Sequence, residues 1–362
     1  MTVIIMHNTV TTHDAIGNDI EAEFKIISEN NECLVFAPNQ FNPNVSYISR
    51  ESLDELLDDP QLVLLYHHSV YWNEGYEILK KTKGKIVFKY HNITPEAFFE
   101  PYNDFAYNQC KLGREQTDLF IKEFPNAYWI ADSYYNAEDL KDFNQDRIGI
   151  SAPFNKIEEW SQVKPDENIL KELLETDKLN LLFVGRVAPN KGHLMLLDVL
   201  RCYRDHYDSN VKLRIIGKFD EGIPGYNELV MSRIHEYGLD HLVEFIGEIN
   251  DSTLMSYYLG SDVMLCCSEH EGFCVPIVEA QFFKLPVVAL RECAVPETIG
   301  PNQIVLGNDP HEFAAALKTI KDDIEHKKYL SETGRKNYES RFSYKQIRES
   351  FEKEFAKGLE LV

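Results

Sequence analysis

The chain has 362 residues, 44% of them apolar and 27% charged, with a formal net charge of -22. That length allows two domains of ordinary size, each with its own core, and that composition excludes a disordered chain. The acidity excludes wholesale binding to a nucleic-acid backbone, and no apolar run reaches membrane-spanning length.

Short β-branched runs alternate with longer helical stretches along the chain, which predicts parallel α/β units. The first series of strands is TVIIM, CLVFAP, LVLLYHH, KIVFKYHN, AYWIADS and RIGIS; the second is LNLLFVGR, VKLRIIGK, VEFIGE, DVMLCCSE, PVVALRE and QIVLG. Several are apolar almost throughout, as strands buried on both faces should be. MTVIIMHNTV carries no basic leader or cleavage site and reads as a first strand, so a cytoplasmic chain, at most peripheral at a membrane, is expected. The seven cysteines are odd in number and form no CxxC, which predicts reduced core thiols, with a zinc site the lesser alternative because no ligand pairs show the usual spacing. Between the two series, Pro153 to Lys178 turns polar and marks a boundary. The expected division is 1–160, 161–341, and a terminal helical stretch, 342–362, crossing back to the first domain. Two doubly wound parallel sheets facing a central cleft would bind ligands at the carboxyl ends of their strands.

Three stretches of the second half suit a nucleotide diphosphate, two of them its phosphates or sugars and one its base. LLFVGRVAPNKG closes a strand and places Gly185, Arg186 and Lys191 in a loop before a helix near His193. Arg grips phosphate oxygens bidentately and Lys supplies a point charge, although two solvated loop cations would look the same. SEHEGFCVPIVEA follows another strand, with Glu271 in the loop and Glu279 about one turn into a helix. The amides of Phe273, Cys274 and Val275 would face an anion at that helix start, and a carboxylate can accept from a ribose or sugar diol. An ordinary helix start with acidic residues is the plain alternative. FIGEIND ends a third strand at Gly247, where backbone could lie against a nucleobase.

Taken in order, FVGR-x4-KG, FIGEIND-x2-L-x2-YY-x2-SDV and SEHEGFCVPIVEA-x5-PVVAL-x5-PETIG resemble the donor domain of the family-4 retaining glycosyltransferases of the GT-B fold, over nearly all of 179–341. The resemblance implies that Arg186 and Lys191 hold the donor diphosphate. It implies that Glu271, with Gly272 and Phe273 beside it, meets the transferred sugar, and that Glu279 meets the ribose. Pro296 and Glu297 match a family landmark, read here as helix-start residues. It further implies that Gly17 and Asn18, in THDAIGNDI, approach the donor, and that His91, in KYHNITPE, is the active-site histidine. At most one of His67 and His68 is placed in the acceptor cleft. No DxD occurs, so a reaction without a metal or cofactor is expected. The resemblance implies hexosyl transfer with retention from a nucleotide diphosphate sugar, GDP-mannose or else a UDP-hexose. The expected acceptor is a saccharide, free or lipid-linked, in surface polysaccharide synthesis. Lys80, Lys81, Lys83, Lys85 and Lys89 form a basic run that is either a solvated face or a contact for anionic lipid. A nucleotide-sugar epimerase, a glycan phosphorylase and a non-catalytic nucleotide-binding subunit share the architecture and remain alternatives.

Overall fold

The computed structural model describes every residue except His13 and Ser161. In the first unit, strands β1 (Thr2–Met6), β2 (Thr9–Val10), β3 (Glu32–Phe36), β4 (Asn39–Gln40), β5 (Val63–His68), β6 (Lys85–Tyr90), β7 (Tyr128–Ala131) and β8 (Ile148–Ile150) alternate with helices. Six of them form one sheet in the order β3-β1-β5-β6-β7-β8, while β2 and β4 pair separately. All the pairings are parallel. Every residue of β5 and β7 is buried, which is why these runs carry no polar alternation. Rings fill the layer beside them: Phe88 stacks on Trp129 at 4.2 Å between centroids, and Phe120 lies on Phe88 at 5.2 Å.

The second unit contains β9 (Leu179–Val184), β10 (Val211–Ile216), β11 (Val243–Gly247), β12 (Val263–Cys266), β13 (Val287–Leu290) and β14 (Ile304–Leu306). Their order is β11-β10-β9-β12-β13-β14, again parallel throughout. The chain runs outward from β9 through β10 to β11, then returns to the other side of β9 with β12. The strand order therefore reverses between β9 and β12, and the crevice beyond their carboxyl ends is the ligand position of such sheets.

By contacts, the first unit comprises 1–96, 107–156 and 344–362, and the second comprises 97–106 and 157–343. The divisions at 156/157 and 343/344 lie a few residues from the expected ones. The excursion of 97–106 has no signal in the sequence. Phe98 lies 6.2 Å from the His270 ring, Tyr102 meets Tyr226 edge-on at 5.3 Å, and Asn103 donates to the Gly222 carbonyl. The helix Tyr344–Leu361 packs on β6, β7 and β8 of the first unit, where Tyr128 donates to Glu354 at 2.6 Å and Lys85 donates to the Leu359 carbonyl.

The basic run is not one surface. Lys89 is fully buried and Lys85 is tied to Leu359, while Lys80 pairs with Glu77 and Lys83 with Asp58. A strand that is buried over its last four residues turns Lys89 inward, so the five-lysine lipid contact is corrected to exposed, largely paired lysines at 80, 81 and 83. No helix among the described residues is long and apolar enough to cross a membrane.

Candidate functional site

The donor-type motifs meet at the reversal of the second sheet. β9 delivers the loop 185–192 and β12 delivers the loop 267–274. Asn190 stitches them together: its carbonyl accepts from the amides of Glu269 and His270 at 2.9 and 3.2 Å, and its side chain donates to the His270 carbonyl. Across this seam Lys191 Nζ donates to Glu271 Oε1 at 2.7 Å, with side chains 24% and 11% exposed. Burial acts to lower the Lys191 ammonium, but the facing Glu271 carboxylate outweighs it and holds the group above its ordinary value. Lys191 is thus a stable cation, partly accessible, at the crevice.

The helices that follow these two strands start alike. His193–His206 begins after Gly192 (φ 68°) and Val275–Phe282 after Cys274 (φ 73°), and neither receives a side-chain cap. Their first amides are left to water or to a ligand, and the helix dipole makes an anion the favoured one. Gly192 is needed on two grounds. Its φ is left-handed, and a Cβ there would stand 1.8 Å from the Cys267 carbonyl oxygen. Gly192→Ala is therefore expected to displace Lys191 and to weaken nucleotide binding at least tenfold by calorimetry, with the fold retained by circular dichroism. Cys274 occupies a similar backbone conformation without being glycine, and its Sγ lies 3.7 Å from Cys266 Sγ in a buried pair. All seven cysteines are free thiols.

Arg186 stands apart from Lys191, half exposed and paired with Asp220 at 3.1 Å. Gly185 leaves β9 by donating to Ile216, and the Gly247 carbonyl at the end of β11 accepts from Gly217. Phe273 is a core residue, edge-on to Phe342 at 5.3 Å, and its carbonyl accepts from Thr298. Pro296 and Glu297 lie in the short helix Val295–Ile299, where the Glu297 carbonyl accepts from Arg341. Val275 is half-buried at its helix start, and Gly272 is half-buried beside Glu271.

Glu279 is half-buried and accepts from the Tyr258 hydroxyl at 2.5 Å. Burial raises its carboxyl to about 7, against the lowering effect of that hydrogen bond. Tyr258 belongs to the YY pair of the motif, but nothing in the sequence assigns it to Glu279. Asp220 and Asn190 were likewise missed, since their roles depend on loops brought together from distant strands.

In the first unit, Gly17 lies in the first turn of the helix Ala15–Ser28, its amide bonded to the capping Asp14 carboxylate at 2.6 Å. A Cβ there would stand 1.8 Å from the Thr11 carbonyl oxygen, so close backbone approach within the unit accounts for this glycine. Asn18 donates its amide to the Asp14 carbonyl, while its Oδ1 is buried without a hydrogen-bond partner. His13 of the same motif lies outside the described residues.

His91 follows β6 with its side chain only 6% exposed, and both ring nitrogens are engaged within the unit. Nδ1 meets Asp132 at 2.8 Å and Nε2 meets His67 Nδ1 at 2.8 Å. His67 Nε2 in turn meets Glu23 at 2.8 Å. Lys89 Nζ donates to Asp132 and to the Ser151 carbonyl, each at 2.6 Å, and lies 3.8 Å from Asp19. His68 belongs elsewhere, against Thr117. Burial acts to lower the His91 imidazole, but Asp132 prevails and the group sits above its ordinary value. Burial drives His67 well down and Glu23 up to about 8.

Asp19, His67 and His91 turn ligand-type atoms together, all within 4.8 Å. However, the two imidazole nitrogens at 2.8 Å share a hydrogen bond. Two ligands of one tetrahedral ion stand about 3.3 Å apart. The Lys89 ammonium beside Asp19 also places a positive charge where a cation would sit. The cluster is a hydrogen-bonded chain and does not fit a metal.

Comparison with known proteins agrees with this geometry. Residues 165–337 match the family of glycosyl transferases group 1. The D-inositol 3-phosphate glycosyltransferase of Corynebacterium glutamicum (strain R) is 29% identical over 194 residues, 51% of this chain and 46% of that protein. The MMP alpha-(1->4)-mannosyltransferase of Mycolicibacterium hassiacum is 28% identical over 164 residues, covering 44% and 38% of the two chains. The chain spans about half the length, or less, of these curated relatives. Anabaena HepE, solved in complex with UDP and glucose, superposes with a TM-score of 0.77 at 14% identity, covering 98% of this chain and 99% of that one. The two parallel-sheet α/β units therefore define a chain of the GT-B class. Within that class, residues 165–337 of the second unit are similar to the glycosyl transferases group 1 family, in line with the resemblance to the family-4 enzymes.

Proposed function

We propose that the chain is a retaining glycosyltransferase that moves a hexose from a nucleotide diphosphate sugar to a saccharide hydroxyl in surface polysaccharide synthesis. The observation that carries this reading is the Lys191–Glu271 pair, set between two uncapped helix starts at the strand-order reversal of the group 1 domain. Lys191 and the amides at 193 and 275 would take the diphosphate and stabilise the charge that grows on it as the glycosidic bond breaks. Glu271, released in part from Lys191 when phosphate arrives, would accept from the transferred sugar. Glu279 would accept from the ribose, and Arg186, the more exposed cation, would close on the phosphates by leaving Asp220. The acceptor oxygen bonds to the anomeric carbon as the phosphate leaves from the same face, and the leaving phosphate takes the acceptor proton. With no DxD in the chain, these cations and amides would stand in for a divalent ion. GDP-mannose is the proposed donor and a UDP-hexose the second candidate. The mannosyltransferase relative supports the first, and the UDP and glucose named for the Anabaena structure support the second.

The test is thermal shift against a panel of nucleotides and nucleotide sugars, with EDTA present, followed by NMR of the product. A rise for one diphosphate series, lost in Arg186→Ala, is expected, as is a product of retained anomeric configuration. No rise with any nucleotide or donor would reject the donor site and favour the glycan phosphorylase, and an inverted product would reject the stereochemistry.

The Glu279 carboxyl gives a pH signature. If only the carboxylate accepts from the ribose, a group titrating at about 7 is about one-tenth ionised at pH 6 and nine-tenths at pH 8. Nucleotide affinity is therefore expected to rise about tenfold between pH 6 and 8 by calorimetry, and Glu279→Gln is expected to lose that rise while ligand titration continues unchanged.

A further inference from the structure

The buried groups of the first unit form a continuous chain, Asp132–His91–His67–Glu23, with three links of 2.8 Å. We propose that this chain is a proton relay, in which Glu23 and His67 act as positioning residues that set the charge on His91. The proposal rests on the transferase reading only for its use in catalysis; the relay itself does not depend on it.

Two proton arrangements satisfy every link with the same number of protons. In one, the Glu23 carboxylic acid donates to His67 Nε2, His67 Nδ1–H donates to a neutral His91 Nε2, and His91 Nδ1–H donates to the Asp132 carboxylate. In the other, the Glu23 proton has passed to His67 Nε2 and the His67 Nδ1 proton has passed to His91 Nε2. Glu23 is then a carboxylate and His91 an imidazolium, with His67 neutral in both. The four groups carry one net negative charge either way, so positive charge reaches the end of β6 without any exchange with water. Exchange would be slow, because the His67 and Glu23 side chains are 0% exposed.

The surroundings bias the two arrangements in opposite directions. Asp132 and Asp19 (Oδ2 at 4.0 Å from His91 Nε2) favour the imidazolium, and Lys89 opposes it. His7, whose ring lies 6.5 Å from His67, is held neutral by burial, and its Nε2 is engaged with Ser69. Asp19 Oδ1 is fixed by the Phe154 amide, so that carboxylate cannot turn away. Negative charge growing on a ligand near the end of β6 would draw the protons toward His91. The side chain then contributes a field rather than a direct hydrogen bond, consistent with its 6% exposure.

Histidine-selective 15N NMR of the whole chain reads the relay without any activity, with His91→Gln and His67→Gln assigning the signals. In the wild type, His91 Nε2 is expected at a shift between the protonated and bare positions, with the reciprocal value at His67 Nδ1. Glu23→Gln donates to His67 Nε2 but gives up no proton, so His91 Nε2 should move to the bare, accepting position. If that variant does not fold, His67→Gln cuts the chain at its middle, and an unmoved His91 Nδ1 titration would count against the relay. Unchanged His91 shifts in Glu23→Gln would overturn the proposal, as would stoichiometric zinc in the wild type that is lost in His67→Gln. Where turnover is observed, Glu23→Gln should lower kcat about tenfold and reduce the solvent isotope effect while leaving the donor KM within twofold. A wild type that shows the relay by NMR but turns over no sugar would reject the transferase reading alone.

Discussion

Lys191→Met is expected to lower kcat/KM for sugar transfer by about 10²–10³-fold, the loss typical of removing one preorganised charge from a developing anion. The methionine keeps the length of the side chain and its packing against the loop, so the change isolates the ammonium. Two consequences of the Lys191–Glu271 contact sharpen the expectation. Glu271 is left 11% exposed without its cation, and it faces the crevice that the proposed diphosphate would enter. The variant therefore suffers repulsion as well as lost attraction. Lys191→Arg should recover part of the activity, because the charge returns but the planar fork cannot reproduce a single 2.7 Å contact at the same place. Steady-state kinetics on all three proteins decides the matter. Activity of Lys191→Met within threefold of the wild type would remove Lys191 from the transfer step.

Lys89→Met is expected to be the most destabilising single substitution of the first unit, by about 3–5 kcal/mol, because it leaves buried carboxylates without their cation. Lys89 is fully buried and bonded to Asp132 and Ser151, with Asp19 at 3.8 Å. The thermal transition of the first unit should fall by about 10 °C. The pH dependence follows from Asp19, which burial already raises to about 6 despite the attraction of Lys89. Without the lysine its carboxyl rises further, so the folded variant holds protons that the unfolded chain has released. Stability then falls as pH rises, and the deficit relative to wild type should be larger at pH 8 than at pH 5. Calorimetric scans at the two pH values test this. Lys89→Met/Asp132→Asn should recover part of the loss, since one stranded charge is removed with the cation.

These two lysines show what sequence reading reached. The six-stranded sheets were legible because parallel strands buried on both faces leave long apolar runs, as in VLLYHH and VMLC. The two-residue strands Thr9–Val10 and Asn39–Gln40 are too short to leave a pattern. The place of Lys191 in a loop between a strand and a helix was legible, whereas its pairing with Glu271, 80 positions away, was not. Lys89 was misread for the same reason in reverse. In KIVFKY a lysine can face solvent or a buried acid, and the deciding Asp132 lies 43 positions away, just past the end of the neighbouring strand β7. The position of His91 directly after a strand was legible. The chain behind it, through His67 to Glu23, joins three elements separated in sequence and appears only when they are packed together.

The return of 344–362 to the first unit bears on how the chain is made. During synthesis, β6, β7 and β8 are complete long before the helix Tyr344–Leu361 exists to cover them. Phe154, which meets Phe351 and Tyr344 from that helix, and Tyr128, which bonds Glu354, must wait through the whole of 157–343. The second unit, whose contacts need nothing later than 343 and of the earlier chain only 97–106, can therefore close first, although it begins later. The first unit meanwhile stays open along one face, the interval in which chaperones would find it and in which a stalled or truncated chain would aggregate.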